Sequence, residues 1–176
     1  MHLTWSQLED ISQSNALLPQ NPKQRAHSRL WSDHINRKVI PHFYSYLQAQ
    51  EVEKQGEEGS AFKAEIDKLV SAAHPDGPFF LGSEISFVDI QFAPWIIRLN
   101  RVLKPYRGWP EPDPQSRWAK WIDAIENDPS VKATTSTNDL YLDSYERYAG
   151  ELLSSIATPF NMRLMDVQRI VQTQAR

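Results

Sequence analysis

The sequence contains no cysteine. A disulfide framework, a thiolate metal site and a cysteine nucleophile are therefore excluded from this chain. Glycine is scarce, at six of 176 residues. No stretch approaches the roughly 18 consecutive apolar residues of a membrane span. An excess of one charge is missing too. Lys plus Arg number 19 against 22 Asp plus Glu, for a net charge of -3, so there is no electrostatic case for a nucleic-acid or membrane-surface partner. Glu9 and Asp10 interrupt the start of the chain before any apolar run of signal-peptide length, which predicts a soluble cytoplasmic protein. There is no nucleophile elbow, phosphate-binding glycine loop or zinc spacing. His2, His27, His34, His42 and His74 form no metal pattern, so no metal is expected.

Apolar residues make up 40% of the chain, enough for the core of one domain. The 12 prolines gather between long segments of helical periodicity, which predicts an all-α fold. Trp5, Leu8 and Ile11 have the spacing of a first helix, and residues 1–20 read as that helix and a linker ending in Leu17-Leu18-Pro19. Asn21 and Pro22 suit the cap and first position of a long helix through Leu30, Val39, Phe43 and Leu47, kinked at Pro41. Glu51 to Gly59 reads as a charged, glycine-broken loop. Ser60 to Ala73, with Phe62, Ile66, Leu69 and Val70, reads as the next helix.

The strongest helix start is Ser86-Phe87-Val88-Asp89. Ser86 and Asp89 stand at capping-box spacing, and Ile85 and Ile90 are placed as a hydrophobic staple. The segment to Leu103 is apolar almost throughout, as expected of a helix enclosed by protein. A proline-rich loop over Pro105 to Pro114 follows. A helix with Trp118, Trp121, Ile122 and Ile125 is then closed by Asp128-Pro129. Asp139 is placed to cap a segment bearing Tyr141, Tyr145 and Tyr148. Residues 151–176, with Phe160, Leu164, Val167 and Val171, read as an amphipathic C-terminal helix. Trp31 between His27 and His34 either lines a pocket or belongs to an ordinary amphipathic face, and the pattern alone favours the second.

Several segments in order resemble the C-terminal helical domain of glutathione S-transferases, especially fungal and omega-like members. Leu17-Leu18-Pro19, Asn21-Pro22 and Arg25-Ala26 resemble the family's interdomain linker and the start of the helical domain. Trp31, Asp33, Ile35 and Val39 to Tyr44 resemble the body of its first long helix. Gly77-Pro78-Phe79-Phe80-Leu81-Gly82, then Ile85 to Asp89 and Ala93-Pro94-Trp95, resemble its loop, capping box and core helix. The likeness implies a helical bundle over residues 21–150 and assigns Ser86 to folding, not catalysis. Residues 1–20 are too short for the family's thioredoxin-like domain, so no catalytic residue carries over.

By matching position, the resemblance implies that Trp31, His34, Lys38 and Trp95 line a substrate wall, with Tyr141 and Tyr145 as a lid. Arg25, Arg29, Arg98 and Arg101 are the cations available to glutathione, or else solvated surface charges. The implied partners are glutathione, a small hydrophobic electrophile and a second copy of the chain in a homodimer. The implied activity is glutathione-dependent chemistry in fungal secondary metabolism, with trans/cis isomerisation of a double bond preferred over conjugation. The alternative is a non-catalytic binding or assembly module.

Overall fold

The computed structural model describes residues 16–150. The first-helix assignment on Trp5, Leu8 and Ile11 and the amphipathic tail from Phe160 to Val171 lie outside the described residues. Helix α1 (Pro22–His34) continues through a π-turn (Ile35–Val39) into α2 (Ile40–Gln48). Next come α3 (Val52–Ala72), α4 (Phe87–Arg98), a second π-turn (Leu99–Leu103) and α5 (Lys104–Arg107). Helices α6 (Arg117–Asn127), α7 (Pro129–Thr134) and α8 (Asn138–Ala149) follow. Among the described residues there is no strand, only an isolated bridge between Phe79 and Gly82. The all-α expectation holds.

Asn21 caps α1 as its position suggests, its side chain accepting from the Lys23 and Gln24 amides at 2.9 and 3.2 Å. The bend expected at Pro41 takes the form of a π-turn just ahead of it, and Pro105 follows a π-turn in the same way. In each case the residue before the proline donates five residues back, Ile40 to Ile35 and Lys104 to Leu99. A proline ring collides with the carbonyl four residues earlier, and a wider turn moves that carbonyl aside. The widening also serves the core. Ile35, Val39, Phe43 and Leu47 are all fully buried. Side chains four apart drift by about 40° per step around an α-helix, and the π-turn rotates the stripe back toward the core.

The predicted loop from Glu51 to Gly59 is instead the first part of α3, which runs unbroken for 21 residues. Within it Lys54 pairs with Glu57 and Glu58 one turn on, at 3.4 and 3.0 Å. Gly59 lets α3 approach α2: a Cβ there would stand 3.1 Å from the Tyr46 ring. Gly56 meets nothing within 4 Å and so has only the cost of a helical glycine. Three smaller boundaries also differ. Lys104–Arg107 is a helical turn within the proline-rich region, Asp128 caps a further helix (α7), and Thr137, not Asp139, caps α8.

The capping box at Ser86 and Asp89 is present, and both residues are buried. The Asp89 carboxylate does more than cap. It accepts from the Ser86 amide and hydroxyl at 2.8 and 2.5 Å, from the Phe80 amide at 2.8 Å and from Trp121 Nε1 at 2.7 Å. Burial pushes its carboxyl above the usual range, against these donors, which favour the ionised form. Ile90 is 38% exposed, so the predicted Ile85–Ile90 staple does not bury it. The loop leading into α4 is tight: a Cβ on Gly77 would lie 2.4 Å from the Gly82 backbone, and Gly82 adopts φ of 140°. Arg117 closes this loop onto α6 through the carbonyls of His74 (2.7 Å) and Phe79 (2.8 Å).

At the other end of the domain Arg107 gathers the ends of two helices. Its guanidinium donates to Leu47 and Ala149 at 2.5 and 2.6 Å, while Gln50 donates to the same Ala149 carbonyl at 2.9 Å.

Two stability changes follow. Asp89→Asn places an amide donor among groups that all donate and is expected to cost about 3 kcal/mol in urea denaturation. Gly56→Ala is expected to add about 0.5–1 kcal/mol. Gly59→Ala should not, because the Tyr46 ring it meets is pinned by its 2.9 Å bond to the Arg107 carbonyl.

Candidate functional site

The second half of α4 carries Pro94, Trp95 and Arg98. Pro94 has no amide proton, and its carbonyl accepts from Arg98 Nη1 at 2.6 Å, which turns the guanidinium back along the helix. The guanidinium carbon then lies 5.3, 5.5 and 5.6 Å from the ring centres of Trp95, Tyr141 and Tyr145. Its Nε donates to the Tyr145 hydroxyl at 2.5 Å. Among the described residues no carboxylate pairs with Arg98, so aromatic faces and neutral oxygens surround a full positive charge.

Helix α2 supplies the rest of this basin. The Tyr44 ring lies 5.9 Å from both Trp95 and Tyr148, and Phe43 beneath it is 5.3 Å from Trp95 and 6.3 Å from Tyr145. Burial pushes the Tyr44 hydroxyl up to about 12, helped by its hydrogen bond to Tyr145. The Tyr145 hydroxyl oxygen thus accepts from Arg98 Nε and shares a hydrogen bond with the Tyr44 hydroxyl.

Four of the expected site residues, Trp95, Tyr141, Tyr145 and Arg98, thus come together. The others are placed elsewhere. Trp31 packs half-buried against Phe80 (6.4 Å), His27 (6.3 Å) and His34 (5.0 Å). His34 is held by α3, with Nε2 lying 3.2 Å from the Glu65 carbonyl and 3.4 Å from its carboxylate. Burial works to raise the Glu65 carboxyl, but the Lys68 hydrogen bond and the neighbouring charges of Lys68, His34 and His42 hold it below its ordinary value. Lys38 is exposed on the first π-turn, and Arg29 is exposed on α1. Arg25 binds the linker carbonyls of Pro19 and Gln20 at 3.1 and 3.0 Å. Arg101 donates to the Ser136 carbonyl at 2.5 Å and lies 5.5 Å from the Tyr141 ring.

Tyr44 and Tyr148 belong to the basin without having been singled out for it. The spacing of Tyr141, Tyr145 and Tyr148 on one helix face was a signal for the second. Nothing local marks Tyr44. Among the described residues no group of acidic or histidine side chains could hold a metal ion, and no helix is long and apolar enough to cross a membrane.

Residues 50–124 match the family model described as glutathione S-transferase, C-terminal domain. The chain is 32% identical over 138 residues to glutathione S-transferase U17 of Arabidopsis thaliana, covering 73% of this chain and 56% of that protein. It superposes on glutathione transferase Omega 3C from Trametes versicolor with a TM-score of 0.71 and 35% identity, over 86% of this chain and 63% of that one. A Tau class glutathione S-transferase from mango shares the fold, with a TM-score of 0.56 at 24% identity, over 75% of this chain and 62% of that one. The chain thus spans about three fifths of the length of these relatives. Its fold and its matched residues are those of the C-terminal helical domain of glutathione S-transferases.

The cations do not converge on a tripeptide. Arg25 faces the linker, Arg98 the tyrosines and Arg101 the loop before α8, and no strand edge among the described residues is offered to a peptide backbone. The basin around Arg98 instead offers aromatic faces around one cation and one tyrosine hydroxyl.

The Tyr44 shift has a measurable consequence. A hydroxyl whose folded pKa rises from 10.0 to about 12 contributes stability that is complete below pH 10 and is lost as pH climbs through 12. Tyr44→Phe is expected to flatten the fall in unfolding free energy across that interval, as followed by urea titrations at stepped alkaline pH.

Proposed function

We propose that this domain forms the electrophile-binding wall in glutathione-dependent chemistry on a conjugated carbonyl compound of secondary metabolism, acting as a homodimer, with trans/cis isomerisation of the activated double bond as the preferred reaction. One observation carries this: among the described residues Arg98 pairs with no carboxylate, lies against three aromatic rings and donates to the Tyr145 hydroxyl. Trp95 and Tyr141 provide flat apolar surface for a polyene or aromatic body.

In this reading glutathione supplies a thiol that adds to a conjugated carbon and leaves again. The chain's own residues do the remaining work. The Tyr145 hydroxyl donates to the substrate carbonyl oxygen. Arg98, through its Nε bond, stabilises the charge that develops there. Tyr44 stays protonated throughout the physiological range and keeps Tyr145 in place. Trp31, His34 and Lys38, set along α1 and the first π-turn apart from the Arg98 basin, are assigned in this reading to a further part of the wall, with Arg25 and Arg29 on the same rod. Simple conjugation uses the same wall, without departure of the thiol.

The test is incubation of the purified chain with an activated polyene, with and without glutathione, followed by chromatography of the isomers. Isomerisation that requires both glutathione and protein is expected. Arg98→Leu should slow it by about two orders of magnitude, the typical cost of losing one charge-stabilising donor. Identical isomer ratios with and without glutathione would overturn the proposal. A stable protein complex in pull-down, with no change in melting temperature on adding glutathione, would favour the assembly module instead.

A further inference from the structure

A cleft of about 540 Å³ opens where the π-turn after α4 meets the end of α6, α7 and the start of α8. Ile97, Pro105 and Leu142 give it apolar lining, and Arg101, Lys132 and Thr135 contribute polar groups. Its size lies in the range of sites that hold a small organic molecule. The π-turn helps create it. Asn100 and Arg101 leave the helix from a turn one residue wider than normal, and such single π-turns recur at ligand sites.

Two cations, Arg101 and Lys132, line the cleft with a single carboxylate. Its one lining carboxylate, on Glu126, already accepts from Asn100 Nδ2 at 2.9 Å. The nearby Asp128 carboxylate is committed to the amides of Ser130 and Val131 at the α7 cap, at 2.8 and 3.0 Å. Among the described residues Lys132 donates to the neutral Asn127 side-chain oxygen, at 2.9 Å, and Arg101 to the Ser136 carbonyl. Each retains donors for another acceptor, since a lysine has three and an arginine five.

We propose that this cleft is a binding site for a small organic anion with a flat apolar body, such as an aromatic carboxylate. The carboxylate bridges Arg101 and Lys132, and the ring lies against Ile97, Pro105 and Leu142. The site is separate from the Arg98 basin. The Tyr141 ring stands between them, 5.5 Å from each guanidinium. The proposal does not rest on glutathione chemistry, because none of these lining residues belongs to the Arg98 basin.

The experiment titrates the full chain with naphthoate, using naphthamide as the neutral control, and follows backbone amide NMR shifts. Saturable shifts at Lys132, Thr135 and Asn138 are expected with naphthoate, and markedly weaker ones with naphthamide. Lys132→Glu should weaken naphthoate binding about tenfold, as loss of one charge-assisted contact predicts, while Arg98→Ala leaves it within about twofold. Four results would overturn the proposal: no saturation, shifts confined to Trp95 and Tyr145, equal binding of the neutral amide, or sensitivity to Arg98→Ala without sensitivity to Lys132→Glu. The mapping on the unmodified chain decides the matter even if Lys132→Glu does not fold.

Discussion

One buried carboxylate joins most of what holds this domain together. Asp89 receives donors from the helix start it caps, from the loop at Phe80 and from the indole of Trp121 on α6. Phe80 in turn packs against His27 (5.5 Å) and Trp31 (6.4 Å) of α1 and against Trp121 (5.7 Å). Three segments distant in sequence are thereby fixed around a single charge. A carboxylate taken out of water is expensive, and only a full set of donors offsets that cost. The same condition makes the arrangement specific: shifting the loop or α6 would leave the charge unsatisfied, so competing packings are penalised.

The two proline-linked π-turns shape the surface that this anchor supports. Each lets a helix continue through a proline with its apolar stripe still facing inward. The first aligns Ile35, Val39, Phe43 and Leu47 in one rod, and so places Tyr44 beside Trp95. The second ends the core helix beyond Arg98 and directs Asn100 and Arg101 toward α6 and α7. Without the widened turns, the aromatic and cationic side chains would be rotated away from their partners.

Legibility in the sequence followed the range of the interaction. The capping box was readable because Ser86 and Asp89 lie three residues apart and act on the backbone between them. The core stripes were readable for the same reason. The stretch from Glu51 to Gly59 reads as a loop because its two glycines argue against a helix and outweigh the spacing of Lys54 with Glu57 and Glu58, whereas the close approach of Gly59 to Tyr46 is seen only once α2 and α3 are packed. In the candidate site, Trp95, Arg98, Tyr141 and Tyr145 were reached by resemblance and by their spacing on two helices. Tyr44 was not, since its role depends on a contact with a residue about a hundred positions away. Asp89 also exceeded its local signal: its bond to Trp121 spans 32 residues and has no pattern in the sequence.

The way α8 is fastened sets how its tyrosines can move. Its last carbonyl, on Ala149, is gripped by Arg107 and Gln50, and its first half by Tyr106, whose hydroxyl donates to the Leu142 carbonyl at 2.7 Å. At 1.5 Å of rise per residue the two clamps stand about 10 Å apart along the axis. Tyr145 lies between them, with Tyr141 and Tyr148 each one residue from a clamp, so the rings that face Arg98 are held by the helix backbone as well as by their own contacts.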